Sequence, residues 1–112
     1  MQPRLASEVL VKALIRAAES EGGFGAVLAR GDPLAGAVAV ILAERGVKQL
    51  FLERTLAPSG DYRWSDPGGA ERSDSAFAEL VARRRRVDPD LWVVELDIAS
   101  AERFADEMTA FG

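Results

Sequence analysis

Leu91-Trp92-Val93-Val94-Glu95-Leu96 decides the fold, because it is short, preceded by turn residues and apolar on both alternating faces. A strand of that kind belongs in the middle of a sheet, covered above and below. Trp92 alternates in phase with Val94 and Leu96, which places its indole in the core. A second segment, Val38-Ala39-Val40-Ile41, has the same two-sided character and is broken off by Gly46.

The remaining elements follow by working outward. Asp88-Pro89 stops a helix, since the residue before proline disfavours helical dihedrals. That helix begins near Ser73 or Ser75, after a polar loop containing Pro67-Gly68-Gly69, and buries Phe77, Leu80 and Val81. Downstream, Ser100 caps a short helix with Ala101, Phe104, Ala105 and Met108 on one side. At the other end, a helix starts at Ser7 as its expected cap, with Leu10, Ala13, Leu14, Ala17 and Ala18 at helical spacing. Val11 and Ile15 add a second stripe, and Gly22-Gly23 stops it. Phe24 to Arg30 reads as a strand, followed by a turn at Gly31-Asp32-Pro33 in which Gly31 is expected to take positive φ. The strand Val47 to Leu56 sets Leu50 and Leu52 opposite Phe51, and Pro58-Ser59-Gly60-Asp61 returns it into a short strand, Tyr62 to Trp64.

The order is α-β-β-β-β-α-β-α, an α+β fold with a mainly antiparallel sheet of five strands and three helices, in a single domain over residues 1–112. The first four strands are expected to form an antiparallel meander. Two strands apolar on both faces ask for cover on both sides, and three helices leave that cover short. Helices distributed over both faces, or a homodimer burying the open one, would supply it.

Composition narrows the chemistry. The chain has no cysteine and no histidine, which excludes disulfides, thiolate catalysis, sulfur or imidazole zinc sites and histidine acid–base chemistry. A net charge of −4 argues against a dedicated nucleic-acid binder, which needs a basic face to release counterions. No basic-then-apolar leader opens the sequence, and the longest apolar run, Leu34 to Ala43, is about half a membrane span. A cytoplasmic protein without membrane contact is expected.

Three segments carry a family likeness: Arg4-Leu5 with Ser7-Glu8, Arg30-Gly31-Asp32 with Ala35-Gly36-Ala37-Val38, and Asp88-Pro89-Asp90-Leu91-Trp92-Val93-Val94-Glu95. With Arg63-Trp64 near the hairpin, their order and spacing resemble the alphaproteobacterial domain of unknown function family one-four-nine-one, over most of the chain to about Leu96. The resemblance implies bacterial origin and brings no activity, substrate or catalytic residue with it.

The candidate binding residues are Arg30, Asp32, Tyr62, Trp64, Arg83, Arg84, Arg85, Arg86, Asp88 and Asp90. Four consecutive arginines point around the whole helix, so they cannot serve one ligand face. At a helix C-terminus they also oppose the negative end of the dipole. A solvated helix end is the favoured reading, ahead of an acidic protein partner and of nucleic acid or phosphate. Arg84, at helical spacing from Leu80 and Val81, is expected to lay its stem over the core edge. Asp88, Asp90, Glu95 and Asp97 resemble the acids of a magnesium nuclease, but Leu96-Asp97 stands where such a site needs a lysine. Asp88 and Asp90 read instead as turn builders facing the arginines. Arg30-Gly31-Asp32 spells an adhesion tripeptide and is read first as a tight turn. Tyr62 and Trp64, on one face of an edge strand, are the best candidates for a partner-binding patch, against simple cover for the sheet's rim. Catalysis by serine or by carboxylates alone stays open, since residues distant in sequence can converge.

These readings favour a non-enzymatic interaction or regulatory module that binds a protein partner or a second copy of itself. Binding of nucleic acid or a phosphate ligand by the arginine-rich helix end is the alternative. No cofactor or metal is expected.

Overall fold

The computed structural model describes residues 5–66 and 73–111. The Pro67-Gly68-Gly69 loop, and Arg4 of the family likeness, lie outside them. The elements are α1 (Ser7–Ser20), β1 (Phe24–Ala29), β2 (Val38–Glu44), β3 (Val47–Leu56), β4 (Tyr62–Ser65), α2 (Asp74–Val87), β5 (Trp92–Asp97) and α3 (Ala101–Glu107). A 3-10 turn, Met108–Phe111, follows α3. The expected α+β order is the one observed.

The five strands lie in the order β1-β5-β2-β3-β4. All neighbours are antiparallel except β2 and β5, which run parallel with Val40 opposite Val94. This corrects the meander. β1 does not pair with β2, because the two strands that are apolar on both faces take the centre together and β5 inserts between β1 and β2. β1 is left as one edge of the sheet and β4 as the other.

Each face has its own core. On one, Leu10, Leu14 and Ala18 of α1 and Phe104 and Met108 meet Val40, Leu42, Trp92, Val94 and Leu96. On the other, Phe77 and Leu80 of α2 pack on Ala39, Ile41, Phe51, Leu91 and Val93. Leu52 and Phe51 therefore belong to opposite cores, as their alternation requires. Among the described residues, the α2 side has one helix where the other side has α1, α3 and the 3-10 turn.

Ser7 is not the cap of α1. The helix follows Ala6, and its first amides donate to the loop ahead of β2: Ser7 N to Leu34 O at 3.2 Å and Glu8 N to Pro33 O at 2.9 Å. With those donors satisfied by tertiary carbonyls, the Ser7 hydroxyl turns inward and donates to Gly36 O at 2.5 Å. Ser73 and Ser100 do act as caps, accepting from Ala76 N and Arg103 N.

Candidate functional site

Five of the ten candidate residues stand around the corner where α2 turns into β5. Asp88 ends α2 and its Oδ1 accepts from Asp90 N at 3.1 Å, holding the Asp88–Leu91 turn. Arg85 closes the turn from the helix side. Its Nη1 donates to Leu91 O at 2.9 Å and Arg30 O at 3.3 Å, and also meets Pro89 O. The loop after β1 closes it from the other side: Asp32 N donates to Asp90 O at 3.0 Å, and Trp92 Nε1 donates to Asp32 O at 2.8 Å. The Asp32 carboxylate accepts from Leu34 N and Ala35 N, so it builds its own turn. Arg30 lies exposed over Trp92, its guanidinium carbon 5.3 Å from the ring centroid.

Gly31 has a different purpose from the one expected. It does not take positive φ, unlike Gly22, Gly46 and Gly60. A Cβ there would sit 2.0 Å from Asp90 O, and one on Gly36 would sit 2.3 Å from the same oxygen. Both glycines let the loop press directly on the Asp90 backbone.

The four arginines separate into three kinds. Arg84 makes a two-pronged pair with Glu53 of β3, Nε to Oε1 at 2.5 Å and Nη2 to Oε2 at 2.8 Å. Glu53 is 7% exposed, and its hydrogen bond raises the pKa of Arg84 above the ordinary value against the opposing effect of burial. Arg85 holds the corner. Arg83 and Arg86 are exposed to solvent. Sequence reasoning missed Glu53, since a charge in a strand reads as surface; its alternation in phase with Phe51 was the available signal.

Tyr62 and Trp64 stand at the far edge of the sheet, away from this corner. Trp64 packs against the α1-side core and its Nε1 donates to Met108 O at 3.2 Å. Tyr62 lies 3.9 Å from the guanidinium carbon of Arg54. Both half-buried rings thus fasten β4 to its surroundings.

The acids of the nuclease-like pattern are dispersed. Asp88 and Asp90 precede β5 and Asp97 ends it, accepting there from Arg45 N at 3.0 Å and Gly46 N at 2.7 Å. Glu95 faces Lys48 at 3.7 Å. Among the described residues, no three such side chains are grouped to hold a metal ion, and no helix is long and apolar enough to cross a membrane.

The open surface lies elsewhere. Beside α2, a cavity of about 310 Å³ opens between Leu28 and Ile41 of the sheet and Phe77, Ala78 and Val81 of the helix, with Lys48 among its lining. Leu28 is 50% exposed and Phe24, further along β1, is 62% exposed. Opposite β5 the register slips between Val27 and Ala29, so Leu28 bulges out of the ladder and turns toward this cavity.

No functionally curated protein matches the chain. The solution structure of a DUF1491 family protein from Caulobacter crescentus is 32% identical, covers 88% of this chain and 90% of its own, and superposes with a TM-score of 0.77. A crystal structure of a DUF1491 family protein from the same organism gives 33%, 83%, 87% and 0.76. The solution structure of protein Atu0922 from A. tumefaciens gives 33%, 88%, 89% and 0.69. The matching family model, described as a protein of unknown function, spans residues 5–106, and no activity accompanies it or these structures. On that match the chain belongs to the DUF1491 family.

Proposed function

We propose that this protein is a small cytoplasmic interaction module, non-enzymatic and of one domain, that works through the β1 edge and the apolar cavity beside α2. One observation carries the reading: Phe24 and Leu28 are exposed on an edge strand, next to an apolar hollow that α2 leaves uncovered. Edge strands of this kind accept a further strand, with backbone hydrogen bonds giving affinity and pockets giving specificity. The occupant that fits first is a second copy of the chain. By contrast, Arg84, Arg85, Asp32 and Asp88 are engaged in holding elements together.

The alternative, nucleic acid or a phosphate ligand at the helix end, is supported by the exposure of Arg83 and Arg86. Capture from nuclease-treated lysate of the source cells separates the two, using wild-type bait, Leu28→Asp bait and bait with Arg83→Ser and Arg86→Ser. The interaction reading expects protein recovery that survives nuclease, is lost with Leu28→Asp and ignores the serines. Recovery that depends on nucleic acid and on the two arginines overturns it.

A further inference from the structure

The sheet has two edges of different character. β4 is short and carries Arg63, with Asp61 at its start, and charges at an edge deter pairing. β1 reads Phe24-Gly25-Ala26-Val27-Leu28-Ala29, with no charge and no proline. Among the described residues no strand covers its outer side.

The strand is also complementary to itself about Ala26. An antiparallel copy centred there sets Ala26 against Ala26 of the partner. On the α2 face it sets Phe24 against the partner's Leu28, and Leu28 against the partner's Phe24, joining residues 62% and 50% exposed in the single chain. On the α1 face it sets Val27, 39% exposed, against the partner's Gly25. That glycine has no side chain to obstruct it, because a Cβ there would meet its own Leu96 at 2.7 Å and Ile15 at 3.0 Å.

We infer that two copies of this chain associate through β1, antiparallel about Ala26, into one continuous sheet. This rests on the interaction reading above and names its first partner. Paired in this way, the two α2 cavities lie on the same face of the joined sheet.

Sedimentation equilibrium of the wild type and of Ala26→Lys is the test. Ala26 is exposed, so the lysine is tolerated by the monomer, whereas in the pair two lysines face each other across the axis. The wild type should form a dimer, and Ala26→Lys should weaken it on the order of tenfold or more, because like charges brought together at an interface repel. Register is read by oxidation of single cysteines in a chain that has none of its own. Ala26→Cys should cross-link to a dimer and Leu28→Cys should not, since two copies of position 28 are far apart in this alignment. A wild type that stays monomeric, a dimer indifferent to Ala26→Lys, or equal cross-linking at both positions overturns the inference. If the chain is monomeric while capture from lysate still depends on Leu28, self-pairing falls and the interaction module stands.

Discussion

Arg83 and Arg84 are chemical equals in adjacent positions, and their surroundings make them unequal. Arg84→Ala leaves the Glu53 carboxylate, 7% exposed, without its pair. The expected cost is about 2–3 kcal/mol, the range for stranding a buried charged hydrogen bond. Arg83→Ala and Arg86→Ala should each stay within about 0.5 kcal/mol, as surface changes do. Urea unfolding of the three variants measures the contrast. Gly31→Ala, with its Cβ directed at Asp90 O, should lower stability by roughly 1–3 kcal/mol in the same assay. Glu21 supplies a pH signature. Its carboxyl is held above its ordinary pKa chiefly by a hydrogen bond with Glu107, helped by burial and by the charge of Glu107, while Arg103 acts in the opposite sense. The folded chain therefore holds that proton more tightly than the unfolded one. The contribution is complete below the ordinary carboxylate value and lost as pH rises through the raised one. Glu21→Gln should flatten that small decline in urea midpoints measured from acid to neutral pH.

At the scale of elements, β1 and α2 make opposite predictions about two apolar residues that line one cavity. Phe77 is buried, so Phe77→Ala should cost about 3–5 kcal/mol. Leu28→Asp changes an exposed bulge residue and should leave the urea midpoint nearly in place while abolishing capture. The central places of β2 and β5 were legible in their two-sided apolar patterns, and so were the Ser100 cap and a helix start near Ser73 or Ser75. Their mutual pairing was not legible, because alternation says that a strand is central without naming its neighbours. The meander assumed pairing by sequence proximity, and β5 displaced β1 to the edge. Ser7 misled for a related reason: Pro33 and Leu34, distant in sequence, supply the carbonyls that a local cap would otherwise replace.

For the whole molecule, Arg30, Asp32, Arg85, Asp88 and Asp90 were legible as notable residues, and the fold gathers them into a clasp around one turn. Phe24 and Leu28, the core of the proposed surface, were legible only as members of a strand, since exposure depends on which strand becomes the edge. The molecule thus divides into a polar corner that fastens α2, β5 and the loop after β1, and an apolar edge that no strand covers among the described residues. The claim that this edge is the working surface is tested most directly by amide spectra of isotope-labelled protein recorded over a dilution series, from well below to well above micromolar concentration. The resonances of Phe24–Ala29 should shift and broaden first, with those of Arg83 and Arg86 unchanged. Perturbation centred on Arg83 and Arg86, with β1 unmoved, would contradict it.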